Sequence, residues 1–264
     1  MQKNKIGITQ WSLPGEGQYS LQMAKHMGFG ALQLDLGKSQ NGFALTSSFV
    51  QQQYLQDAQK YDIDLPSLAV NELTRVGFSH PKDHEEKKKA YHALALAVEV
   101  AAQMHISSVV FPSFGVNKIG NDDDFQRTVD AFRFVCPLAE QEHITVYTEN
   151  VLHPQQFMKL LTEVGSSSLR LLFDSQNYHF FDSIDCSGYI DQFYPYMGNQ
   201  VHVKDGDEEM ATMALGKGAS SFYKSAEKLK RHHFLGYLIV ENSYFKYPQL
   251  APQDMKTLKQ LFDL

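Results

Sequence analysis

Four residues in this chain have side chains and settings suited to acting together. Glu149 follows the apolar run "ITVYT", Asp174 closes "LRLLFD", His202 lies within "QVHVKD", and Glu241 follows "YLIV". Each run has the β-branched, aromatic or aliphatic composition of a buried strand, and each candidate stands at or near its C-terminal end. Side chains alternate along a strand, so parity assigns each candidate to a face. Glu149 goes with Thr145 and Tyr147, against Ile144 and Val146. Asp174 goes with Arg170 and Leu172, against Leu171 and Phe173. Glu241 goes with Ile239, against Leu238 and Val240, while His202 goes with Lys204, against Val201 and Val203. In every case the polar residue points away from the apolar pair expected to pack on helices.

Three converging carboxylates repel one another and raise each other's pKa values unless a cation neutralises them. Three oxygen donors with one imidazole suit one divalent ion (Mn2+, Mg2+, Co2+ or Zn2+) and leave positions open for a substrate. The plainer reading of any one of these acids is a helix cap or a loop ion pair, and of a lone histidine a satisfied core position. Shared parity on four successive strands favours a common site.

The elements that must position these residues follow a two-beat pattern. Strands are predicted at 5–11, 31–36, 63–70, 106–112, 144–150, 169–174, 200–205 and 237–242, and helices at 20–28, 46–61, 84–104, 122–142, 154–164, 183–197, 220–232 and 252–263. Within 84–104, Tyr91, Leu94, Ala95, Val98, Ala101 and Ala102 recur at helical spacing and form one apolar stripe, with "HEEKKK" as a solvated face. "NDDD" at 121–124 reads as an acidic first helical turn, which the helix dipole favours. Strand alternating with helix eight times implies a parallel sheet with right-handed crossovers, and hence an α/β fold: a single-domain (β/α)8 TIM barrel over residues 1–264. A doubly wound open sheet is the runner-up. It usually opens with Gly-x-Gly-x-x-Gly, and the corresponding "WSLPGEGQ" lacks the third glycine in register. In a closed barrel the site lies at the C-terminal ends of the strands, where the four candidates stand.

Bulk properties narrow the partners. The 264 residues are 43% hydrophobic and 20% charged, with a net charge of −6 that argues against a partner bound chiefly through phosphates, such as nucleic acid. The two cysteines, Cys136 and Cys186, form no Cys-x-x-Cys pair, as expected for a reducing cytosol. The opening "MQKNKIGITQWS" has no apolar core of a signal peptide, and no run of roughly 18 apolar residues could span a bilayer. The expectation is a soluble cytoplasmic protein. A homo-oligomer is compatible with the sequence.

"IGITQWSL" with "AKHMGFGALQLDL", then "YTEN", "FDSQN", "HVKDG" followed by "LGKG", and "GYLIVEN" resemble in order and spacing the sugar phosphate isomerase/epimerase family of xylose isomerase-like TIM barrels. The resemblance spans essentially the whole chain. It implies one divalent metal held by Glu149, Asp174, His202 and Glu241, a small sugar or sugar phosphate substrate, and proton transfer by Glu149 and Glu241 through a metal-stabilised enediolate. Ketose 3-epimerisation or aldose–ketose isomerisation would follow from how the substrate carbons are presented. Several relatives carry a substrate-contacting histidine three residues after the strand-six aspartate; here the position is Asn177, which is also familiar in the family, and the nearest histidine is His179. Lys204 either contacts a substrate oxygen or pairs with a site carboxylate. Trp11 either walls the sugar or packs in the core. Lys217 in "LGKG" either meets a phosphate or is solvated, and His232 and His233 are given no role.

Three other functions are weighed. An abasic-site endonuclease of the same superfamily needs a three-zinc cluster, but "VKDGDEEMATMALGKG", "LDLG" and "AVNE" contain no histidine. An inosose-type dehydratase would use the same enediolate to expel a β-hydroxyl. A sugar-binding barrel without turnover is disfavoured by the presence of both glutamates.

Overall fold

The computed structural model describes residues 3–15, 17 and 19–264, so Glu16 and Gln18 of the "WSLPGEGQ" segment and the first two residues of the chain lie outside the described residues. The strands are β1 (Lys5–Thr9), β2 (Ala31–Asp35), β3 (Leu68–Ala69), β4 (Ser108–Pro112), β5 (Thr145–Glu149), β6 (Leu169–Asp174), β7 (Met197–Val203) and β8 (Tyr237–Val240). The helices are α1 (Tyr19–His26), α2 (Ser48–Tyr61), α3 (His84–Gln103), α4 (Asp122–Gln141), α5 (Pro154–Val164), α6 (Ser175–Asp182), α7 (Ile190–Phe193), α8 (Phe222–Arg231) and α9 (Ala251–Phe262). Each strand bonds to the next in chain order and β8 returns to β1, closing an α/β barrel of eight strands. The described pairings are parallel. Among the described residues, no helix is long and apolar enough to cross a membrane.

Two compact units can be distinguished, one comprising residues up to Gln33, 54–65 and 172–264, the other 34–53 and 66–171. In the first, Ile8, Val201, Leu238 and Val240 of the strands are buried, as are Leu229 of α8 and Leu258 of α9. In the second, Phe111 of β4 packs against Phe132 of α4 with ring centroids 6.5 Å apart. The termini of the long helices follow from their sequences. Asp83 accepts a hydrogen bond from Glu86 N at the start of α3, and Asn121 accepts one from Asp124 N at 2.9 Å at the start of α4. "NDDD" therefore supplies both the cap and the acidic first turn.

The sequence-based expectations need four local corrections. The buried face of α3 is Ala90, Ala93, Leu94, Ala97, Val98, Val100 and Ala101, so the predicted Leu94, Val98 and Ala101 are in it, while the predicted Tyr91, Ala95 and Ala102 are half-buried at its edge. Alanines allow close approach to the strands, while the Tyr91 ring lies 5.0 Å from that of Phe134. β3 is only two residues long, with an isolated bridge from Asp64 to Ala31, because Pro66 has no N–H to donate within the predicted strand. β1 gives way after Thr9 to a 3-10 turn, Gln10–Ser12. The predicted helix at 183–197 is three short turns, Cys186–Tyr189, Ile190–Phe193 and Tyr194–Tyr196, and the regular helix α6 stands earlier, directly after Asp174. Asp174 caps α6, and Ser183 ends it in a left-handed conformation with φ 54°.

Strand register shows which side chains share a face. His202 pairs with Ile239, Ile239 with Gly7, and Gly7 with Ala31, while Thr9 pairs with Gln33 two residues further on. A Cβ on Gly7 would lie 2.6 Å from Ile239 Cδ1 and 3.0 Å from Ala31 Cβ, so only glycine fits in this layer. Gly7→Val should overpack it and cost about 1–3 kcal/mol in urea unfolding. Unchanged stability would mean that the strands part there without strain.

Candidate metal centre

Glu149 and Asp174 end β5 and β6, His202 is the penultimate residue of β7, and Glu241 directly follows β8. One potential ligand atom from each of the four lies within 4.8 Å of all the others; Glu149, Asp174 and His202 are buried and Glu241 is half-buried. The residues that parity placed on one face therefore meet. Two donors on a single ion, each about 2.0–2.2 Å from it, can be at most about 4.4 Å apart. The observed spread needs little contraction to reach that limit, and three carboxylates with one imidazole nitrogen are a donor set that first-row divalent ions accept. The residues fit a divalent cation.

Each side chain has a defined partner. Asp174 Oδ1 accepts from the backbone N–H of Gln176 at 2.8 Å and of Asn177 at 3.2 Å, so one oxygen caps α6. Its other oxygen, Oδ2, lies 3.0 Å from Lys204 Nζ and 4.0 Å from His202 Nδ1. His202 Nε2 lies 2.9 Å from Gln33 Oε1, and Nδ1 faces Glu241 Oε2 at 3.2 Å. Glu241 accepts from Trp11 Nε1 at 2.9 Å on Oε1 and from Lys204 Nζ at 2.6 Å on Oε2. Burial alone would push the Glu241 carboxyl up. The charges of Lys204 and then His202 outweigh it and hold the group well below the usual carboxylate range.

The neighbouring segments fix this geometry. Glu241 N–H donates to Val203 O at 3.0 Å, keeping the residue in the sheet ladder beyond the end of β8. Asn242 accepts from Asp205 N at 3.0 Å and donates to Met213 O at 3.0 Å and Asp254 Oδ2 at 2.7 Å. Asp205 in turn gathers the loop before α8, accepting from the N–H groups of Gly216 at 2.7 Å, Gly218 at 3.1 Å and Ser220 at 3.2 Å.

The remaining sequence-selected residues divide. Lys204 is only 4% exposed and makes the ion pair named as one of its alternatives. Trp11 lies in the turn after β1, half-buried, with its ring edge-on to His202 at 6.5 Å between centroids. It joins the cluster through its indole N–H, a polar contact that neither an apolar wall nor core packing anticipates. Asn177 is buried in the first turn of α6. Lys217 is exposed on the loop that Asp205 gathers, and His232 pairs with Asp191 at 2.7 Å in a different part of the first unit. Gln33 went unnoticed in the sequence. The usable signal was a polar residue in mid-strand, flanked by leucines in "ALQLDL", rather than one at a strand end.

The fold and the cluster together define a closed (β/α)8 barrel with a carboxylate–imidazole centre at the C-terminal ends of its strands. The chain belongs to the xylose isomerase-like TIM barrel family, whose profile matches residues 21–261, in agreement with the resemblance carried by its motifs. It is 28% identical over 242 residues to the 2-epi-5-epi-valiolone 7-phosphate 2-epimerase of an Actinoplanes species (strain SE50/110), covering 91% of this chain and 87% of that one. Among solved structures it is similar to a xylose isomerase domain protein from Planctomyces limnophilus, with TM-score 0.81, 14% identity and 99% of both chains covered. It is also similar to D-psicose 3-epimerase from Clostridium cellulolyticum H10, solved with D-tagatose, with TM-score 0.75, 18% identity and 97% and 98% of the two chains covered. At these identities the structural likenesses establish the fold.

Lys204 is the cation that Asp174 and Glu241 share, and removing one partner of a buried pair leaves uncompensated charge. Lys204→Met should destabilise the chelator-treated protein by about 3–5 kcal/mol in urea unfolding. Wild-type stability in that variant would show that the carboxylates are balanced by other groups.

Proposed function

We propose that this chain is an isomerase of the epimerase type, acting on a small sugar or sugar phosphate with the help of one divalent cation. The observation that carries the proposal is the meeting of Glu149, Asp174, His202 and Glu241 in one cluster. Support for the substrate class comes from the Actinoplanes relative, named as a 2-epimerase of a 7-phosphate, and from the fold shared with a D-psicose 3-epimerase.

The four cluster residues would hold the cation, which when bound supplies Lewis-acid stabilisation of the negative charge that develops on the substrate oxygens. A proton next to a carbonyl is too weakly acidic for an unaided carboxylate, which is why the proton-transfer groups and the cation site must coincide. One of the two glutamates, Glu149 or Glu241, takes the proton from the substrate carbon. The other, carrying a proton of its own, gives it to the opposite face, so configuration inverts, the two carboxyl groups exchange protonation states and nothing is oxidised or reduced. The Lys204 ammonium beside Glu241 favours its ionised form. Lys204 offers an ammonium to a substrate oxygen beside that carboxylate, Asn177 offers its amide from the start of α6, and Trp11 both orients Glu241 and presents its ring to the substrate.

Metal analysis of the purified protein, paired with a solvent-deuterium exchange screen over ketoses, their phosphates and inososes, tests the proposal. We expect about one divalent ion per chain and exchange at a carbon next to the carbonyl, falling about 10^2–10^4-fold in Glu149→Gln. Absence of a stoichiometric ion, together with unchanged ligand binding in Glu149→Gln, would overturn it. Loss of water from an inosose instead of epimerisation would replace the isomerase with a dehydratase.

A further inference from the structure

We infer that Gln33 is a positioning residue that sets which nitrogen of His202 faces the carboxylate cluster. The inference rests on the cation-site reading above. Gln33 lies in β2, fully buried, and stands in register with Thr9 of β1. Its Oε1 is 2.9 Å from His202 Nε2. A carboxamide oxygen only accepts, so the ring nitrogen facing it carries the proton. With one proton held at Nε2, loss of a proton from the ring can only bare Nδ1, whose lone pair is then available to a cation. Nδ1 is the atom that looks toward Glu241 Oε2 at 3.2 Å and Asp174 Oδ2 at 4.0 Å.

Two alternatives at position 33 show why glutamine suits the place. An apolar side chain of the same length would leave Nε2 without its acceptor in a dry interior, and the ring could turn or change tautomer. A carboxylate would accept as well but would add a fourth acid close to Asp174, Glu149 and Glu241. The amide supplies an acceptor without charge. Hydrogen bonds of this kind to the distal nitrogen of a ligating histidine fix ring orientation and tautomer, and their loss typically costs 10–100-fold in metal affinity.

The test compares wild type, Gln33→Met, which keeps the length but has no comparable acceptor, and Gln33→Glu, which keeps an acceptor. Mn2+ binding is measured by calorimetry, His202 tautomer in metal-free protein by 15N NMR at about pH 9, and stability by urea unfolding. We expect the Nε2–H tautomer in wild type, Mn2+ affinity about 10–100-fold weaker in Gln33→Met, and affinity retained in Gln33→Glu. Wild-type affinity in Gln33→Met, or an Nδ1–H tautomer in wild type, would overturn the assignment. So would a Gln33→Met variant that loses stability while binding Mn2+ normally, because that is a purely structural role. If wild type binds no Mn2+, the cation-site reading fails, and the tautomer of His202 still decides whether Gln33 positions it.

Discussion

Like charges confined to a dry site need a charge of the opposite sign among them, and at the mouth of this barrel that requirement governs the arrangement of side chains. Asp174 and Glu241 approach each other closely enough to share one ammonium, with Lys204 Nζ 3.0 Å from the first and 2.6 Å from the second. The remaining oxygens have separate partners: one of Asp174 caps α6 and one of Glu241 takes the indole N–H of Trp11. Partial satisfaction would be worse than an apolar core, because every unpaired polar atom here would bear the full cost of leaving water. Lys204, two residues after His202, meets this requirement only in part, since one ammonium stands against three carboxylates and leaves negative charge that a divalent cation would offset.

A site this polar must be held by rigid backbone, and a closed parallel barrel supplies it. The cluster residues stand on or immediately after strands, where ladder hydrogen bonds continue: Ser113 N–H donates to Glu149 O at 2.8 Å and Glu241 N–H to Val203 O at 3.0 Å. Around Glu241 the support extends outward through Asn242 to Asp254, whose carboxyl is pushed up by burial. Tyr244 donates its hydroxyl to the same Asp254 oxygen at 2.7 Å. The long loop after β7 is therefore tied to the end of β8 and to α9 through two buried carboxylates, Asp205 and Asp254. A Cβ at Gly218 would collide with Asp205 Oδ1 and the backbone of Gly206, so the second glycine of "LGKG" is needed for the loop to close on that carboxylate.

Much of this was readable from the sequence because period-2 alternation carries positional information. Parity alone places Glu149, Asp174, His202 and Glu241 on one side of their strands, and eight alternations imply closure of the sheet. What escaped depended on contacts between distant segments. Gln33 is 169 residues from His202, and nothing local distinguishes it from any buried strand amide. Asp174 reads in the sequence as a site residue but not as a helix cap, so the helix it starts, α6, is missing from the expected elements. The predicted helix at 183–197 begins only at Cys186, beyond the left-handed Ser183, and Pro195 falls in its last turn, Tyr194–Tyr196. Trp11 was read for its apolar ring, whereas its N–H is what reaches Glu241.

The two glutamates are chemically identical but differently placed, and that difference is what the proposed reaction needs. β5 and β8 are three strands apart in the ring of eight, and in the proposed reaction the carboxylates at their ends would have to reach the substrate carbon from opposite faces. Inversion at carbon requires that separation, since a single carboxylate returning its own proton to the face it came from would regenerate the starting sugar. It also requires that neither group swing freely, because a misplacement of about 1 Å can cost on the order of 10^2-fold in rate. Glu241 meets the second condition through two hydrogen bonds from side chains on two other strands' ends, Trp11 after β1 and Lys204 after β7. A carboxylate gripped from both sides in this way holds its position, which suits a group that in the proposed reaction must serve one substrate face and no other.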